Sequence, residues 1–164
     1  MPELLIKLEE NLEKNNIKVH WAETDLEANN IVYQILKDAN AKTVVKGKSM
    51  VTEEIELNEF LDNKGIEILE TDLGEFLVQL ANEKPLHIVM PAIHKNRKEI
   101  SKAICDKFAE LTVTEVVVLI KQQIRKILRD RIVRANAGSS GVRFNISITD
   151  SLCIGENETN RRMC

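Results

Sequence analysis

The chain has 164 residues, 43% hydrophobic and 30% charged, with a formal net charge of −3. That length suits one domain, and the composition is globular rather than disordered or fibrous. The slight acidity argues against a general nucleic-acid binder, and no stretch approaches the roughly 20 apolar residues of a membrane span.

Taken in chain order, Leu4, Leu5, Leu8 and Leu12 recur at helical spacing, and Asn15-Asn16 closes that helix. Ile17, Val19 and Trp21 alternate as in a short strand. Thr24, with Glu27 three residues on, forms a capping box that opens a helix through Lys37. Thr43-Val44-Val45 reads as a buried strand stopped at Gly47. Thr52-Glu53-Glu54 puts carboxylates at the positive end of a helix dipole, and that helix is expected to run to Asn63 before Lys64-Gly65 ends it. A strand over 66–69, a helix over 73–83 broken before Pro85, a strand over 87–90 and a helix over 97–108 continue the alternation. Strands alternating with helices in this way predict an α/β fold, a parallel sheet with helices on its faces.

Past Ala109 the texture changes. Residues 112–134 read as one long helix or two short ones, with Ile120, Ile124, Ile127 and Leu128 on one face and Lys121, Arg125 and Arg129 opposite. Gly138-Ser139-Ser140-Gly141 reads as a tight loop, 144–154 as a strand, and 156–164 as a polar tail. Residues 111–164 carry 9 basic and 5 acidic side chains, against 14 and 21 over 1–110. No aromatic residues interleave with the basic face, so it predicts a solvated helix side rather than a base-stacking surface.

Three expected strand ends carry chemistry. Lys46-Gly47-Lys48-Ser49 ends like a nucleotide-binding P-loop, but Lys42 stands where that motif needs glycine, and the helix is expected to start only at Thr52. What remains is a loop whose ammonium groups and Ser49 either hold a carboxylate or phosphate or pair with Glu53 and Glu54. Glu70-Thr71-Asp72 offers carboxylates for a cation, for acid–base work or for the neighbouring lysines, but the residues alone favour an N-cap at Thr71 or Asp72 for the next helix. His94, after Pro91-Ala92-Ile93, is a proton carrier or a surface residue. The candidate ligand-binding set is therefore Lys46, Lys48, Ser49, Glu53, Glu70, Asp72 and His94, with no catalytic residue assigned and no metal expected. Cys105, Cys153 and Cys164 are 48 and 11 residues apart, which gives no self-contained cysteine cluster site and predicts reduced thiols. Residues 1–14 lack a signal-peptide layout, so a cytoplasmic location is expected.

The block from Val45 to Asn58, the stretch Glu70-Thr71-Asp72-Leu73-Gly74-Glu75 and the run His87-Ile88-Val89-Met90-Pro91-Ala92-Ile93-His94-Lys95 resemble the LUD (lactate utilisation) domain family, as does Val19-His20-Trp21-Ala22. The resemblance is strongest over 1–110 and points to the N-terminal part of the family's lactate-utilisation iron–sulfur protein, a subunit of a complex oxidising L-lactate to pyruvate. It implies a three-layer fold like that of the NagB/RpiA/CoA-transferase group. Gly141-Val142-Arg143-Phe144 still fits, but Ile148 and Asp150 stand where the family has glutamate and glycine, and Thr159 stands at another glycine position.

Full-length relatives continue into a cysteine-rich region that ligates a [4Fe–4S] cluster, which nothing in this sequence supplies. The expectation is thus a single truncated LUD domain without a cofactor of its own. It would serve as a binding or assembly module with other subunits of a lactate-oxidation complex, and a small anionic ligand is possible. The alternatives are an isomerase- or CoA-transferase-like enzyme using Glu70 or Asp72 as base with Lys48 holding the anion, or a fragment without activity.

Overall fold

The computed structural model describes residues 2–83, 91–108, 111, 113–142, 144–146 and 151–153. The expected strand over 87–90 and the departures at 148, 150 and 159 lie outside the described residues.

Two helices precede the sheet. Helix α1 spans Pro2–Lys14 and ends where Asn16 takes φ 60°. The segment after it forms no strand. The Ile17 N–H closes back on the Leu12 carbonyl, and Trp21, 54% exposed, donates its indole N–H to Glu9 Oε1 at 2.8 Å. Alternation alone cannot make a strand where no neighbouring backbone completes a ladder. Helix α2 spans Asp25–Asp38, and Thr24 caps it by accepting the Glu27 N–H. The Glu27 carboxylate reaches back to the N–H of Glu23, one residue before the cap.

Strand β1, Thr43–Lys46, is the centre of a three-stranded sheet of order β2-β1-β3, where β2 is Glu67–Glu70 and β3 is Ala137–Ser139. Both pairings are parallel, with Lys46 opposite Glu70 on one side and Ser139 on the other. The stretch read as a glycine–serine loop therefore contains an edge strand. Small residues with poor strand propensity suffice there, because the ladder uses backbone groups and Asn136 pins its start. Asn136 Oδ1 accepts from the N–H groups of Lys42 and Thr43 and from the Thr43 hydroxyl. Gly141 passes so close to the loop after β1 that a Cβ there would lie 2.7 Å from the Lys48 carbonyl oxygen.

Between β1 and β2 run two short helices, α3 (Met50–Glu54) and α4 (Leu57–Asp62), instead of one starting at Thr52. Ser49 caps α3, and the chain breaks at Glu56, which adopts φ 50°. In an unbroken helix Glu53 would share one face with Leu57 and Leu61 and be carried into the apolar core. The break lets those leucines bury while Glu53 turns toward β1. Asn29 of α2 donates to the Ile55 carbonyl that the break releases.

Helices α5 (Leu73–Leu80), α6 (Arg97–Lys107) and α7 (Val117–Arg134) form a second group. The long basic segment is thus one helix, and Ile120, Ile124 and Leu128 are its buried residues as its periodicity predicts. Strand residues alternate between two cores. Val44 and Ile68 pack with Leu36, Leu57 and Leu61 on one face of the sheet, while Leu69 packs with Phe76, Ile104, Ile124 and Leu128 on the other. Helices thus cover both faces, an α/β arrangement. Within 144–154 two short strands stand where one was expected, β4 (Phe144–Ile146) antiparallel to β5 (Ser151–Cys153).

Candidate functional site

Period-two alternation decides what stands at the sheet's C-terminal end. Lys46 follows Val44 and Glu70 follows Ile68 onto the same face, and the parallel register sets the two side by side. Lys46 is wholly buried. Its ammonium donates to Glu70 Oε1 at 2.9 Å, to the Thr52 hydroxyl at 3.1 Å and to Glu53 Oε1. Asn58 of α4 also donates to Glu70 Oε1. Burial opposes the charge on Lys46, but Glu70 and Glu53 outweigh it and leave its pKa raised. For Glu70, 2% exposed, burial dominates over the attraction of Lys46 and pushes the carboxyl up.

Glu75 joins this group from the first turn of α5. It is 7% exposed, and one carboxylate oxygen from each of Glu53, Glu70 and Glu75 lies within 4.8 Å of the others. Burial first, then the negative charge of Glu70, pushes Glu75 up to about 8, so it holds a proton at neutral pH. Glu75 and Gln79 stand four apart on one face of α5. Gln79 accepts the Glu70 N–H and donates to the Ile68 carbonyl, which locks the helix to β2.

All of this group but Lys46 line a cavity of about 570 Å³ between α3–α4 and α5, and its wall is acidic: Glu53, Glu56, Glu59, Asp62, Glu70, Glu75 and Glu83 all contribute. The structure brings together Lys46, Glu53 and Glu70 of the seven predicted candidates. Ser49 serves as the cap of α3, accepting the Thr52 N–H, and Lys48 lies beside it on the loop; neither lines the cavity. Asp72 caps α5 through the Gly74 N–H at 3.0 Å, the structural alternative left open for it. His94 pairs with Glu83 at 2.9 Å near the cavity edge, and Lys95 first, then His94, hold the Glu83 carboxyl below its ordinary range.

Sequence reasoning missed Thr52, Asn58 and Glu75 as site residues. Glu75 stands three before Val78 and four before Gln79 on one face of α5, and with Val78 buried that face turns inward, where an ionisable group must find polar company.

The profile of the LUD domain matches residues 5–164. The chain belongs to the LUD domain family. Proteins named lactate utilization protein B are similar to it: that of Bacillus cytotoxicus is 41% identical over 156 residues, and those of Bacillus cereus (strain AH820) and Bacillus thuringiensis (strain Al Hakam) are each 40% identical. Each alignment covers 95% of this LUD chain and 33% of the relative, so the chain spans a third of the length of the curated relatives it matches. No solved structure matches it. Of the residues around the LUD domain's cavity, Thr52, Glu53, Glu56 and Asn58 come from the family-like stretch Val45 to Asn58, and Glu70 and Glu75 from the stretch Glu70 to Glu75.

Proposed function

We propose that this chain acts in lactate utilisation, as a LUD module of an L-lactate-oxidising assembly, related to that assembly's iron–sulfur subunit and contributing binding or assembly rather than a cluster. One observation carries the reading: about two residues in five are identical to lactate utilization protein B across 95% of the chain. The cysteines support the second half. Three, spaced 48 and 11 apart, do not provide the four closely spaced thiolates of a [4Fe–4S] site. The proposal includes a NagB/RpiA/CoA-transferase-like architecture, supported by the parallel sheet with helices on both faces, and a cytoplasmic location.

Deleting the gene in its native host tests the reading. Growth with L-lactate as sole carbon source should slow while growth on glucose is unchanged; equal growth on both overturns it. A second reading, an acid–base enzyme, is favoured by the neighbouring buried Glu70 and Glu75 in a cavity of enzyme-site size. It requires that a folded Glu75→Gln chain fail to restore the deletion strain, whereas an assembly module restores it.

A further inference from the structure

We propose that the cavity between α3–α4 and α5 binds a divalent, oxygen-preferring cation such as Mg²⁺ or Mn²⁺ through Glu53, Glu70, Glu75 and Asn58. Three buried oxygens there lack a donor: Glu70 Oε2, Glu75 Oε2 and Asn58 Oδ1. Buried acceptors are almost always paired, and three orphans lining one cavity call for a shared positive partner. Geometry agrees. Oxygens on opposite sides of an ion held at about 2.1 Å stand about 4.2 Å apart, and one oxygen from each of the three carboxylates lies within 4.8 Å of the others, in reach of a shared ion after small side-chain rotations.

Charge agrees as well. Binding a dication displaces the proton that Glu75 holds; Glu53, Glu70 and Glu75, then all ionised, set three negative charges against the single ammonium of Lys46, and the ion closes that balance. Lys46 and Asn58 hold Glu70 by Oε1, leaving Oε2 for the ion, so the carboxylate bridges ammonium and metal. The donors are all hard oxygens, and neither histidine nor cysteine is among the described residues lining the cavity, a set that suits Mg²⁺ and Mn²⁺. The site rests on these orphaned oxygens alone and stands whether or not the lactate reading does.

The test is titration of the full chain with Mn²⁺, followed by the electron paramagnetic resonance signal of the free ion, with Mg²⁺ as competitor. One Mn²⁺ per chain should bind saturably and be displaced by Mg²⁺. Glu75→Gln should weaken binding by at least about tenfold while far-UV circular dichroism and the cooperative melt stay intact. Should that variant fail to fold, Glu53→Gln, at a half-exposed position, serves in its place. Titration without saturation overturns the proposal, as does wild-type affinity in a folded Glu75→Gln chain. An occupant of another kind, such as an organic amine, appears as the first of these outcomes.

Discussion

Replacing Lys46 with methionine keeps the volume of the side chain and removes its charge. Lys46 is fully buried, and its Nζ lies 2.9 Å from a Glu70 oxygen that is itself in a residue 2% exposed. At an effective dielectric constant of about 20, a unit pair at that separation attracts by about 6 kcal/mol, an upper bound on what Glu70 loses. Glu70 escapes part of the loss by taking a proton, because burial already pushes its carboxyl up. Buried pairs broken by removing one partner cost about 3–5 kcal/mol, and that is the expected destabilisation at pH 7, a large share of a domain's stability of about 5–15 kcal/mol. Since Glu70 is neutralised at lower pH, Lys46→Met should recover stability as the pH falls. Urea unfolding followed by far-UV circular dichroism measures the effect in Lys46→Met, Glu70→Gln and the double variant. The double variant should be more stable than the sum of the singles by about 2 kcal/mol or more, because no uncompensated charge remains at positions 46 and 70. A Lys46→Met chain within about 1 kcal/mol of wild type, or strictly additive losses, would refute the view that the ammonium exists to neutralise these carboxylates.

Two further outcomes are expected. Glu75 has a folded pKa of about 8 against an ordinary 4.5, so the native state binds more protons than the unfolded state between those values, and stability is full below about 4.5 and lost as the pH rises through 8. The groups facing it are Glu70, Lys46, Asp72 and Glu53. In buffer with EDTA the loss should approach about 5 kcal/mol in all, near 1.4 kcal/mol per pH unit, and Glu75→Gln should flatten urea-derived stability over this range; parallel profiles would contradict the assignment. Glu56 holds φ 50° between α3 and α4, so Glu56→Gly should relieve its strain and raise stability by about 0.5–1 kcal/mol, a melting shift of a few degrees, whereas a lower melting temperature would count against a strained joint.

Much of the fold was legible where periodicity and caps agree: Thr24 and the helix after it, β1, the Gly65 stop, the 97–107 helix and the apolar face of α7. What was not legible depended on partners far along the chain. Ala137-Gly138-Ser139 becomes a strand only because β1 offers it a backbone edge, and residues 17–21 fail to become one because no such edge meets them among the described residues. The site divides in the same way. Lys46 and Glu70 were visible as strand ends, but their contact depends on register. Glu75 drops out of a sequence reading because an acid in a first helical turn normally serves the helix dipole in water. The break at Glu56, which aims Glu53 inward, leaves no glycine or proline to announce it.

The two edges of β1 are satisfied at very different times. Its pairing with β2 joins Val44 to Ile68, 24 residues apart, whereas its pairing with β3 joins Val44 to Ala137, 93 residues apart. Closing the longer loop costs only about 1 kcal/mol more in entropy, so the delay is set by chain supply rather than by energetics. At about 5–20 residues per second of synthesis, the second edge of the central strand stays unpaired for roughly 3–14 seconds after β2 has emerged. During that interval Thr43-Val44-Val45 presents an open ladder to any neighbouring nascent chain. The speed with which α7 delivers Asn136 to its three donors on Lys42 and Thr43 therefore sets how long the growing chain is vulnerable to aggregation.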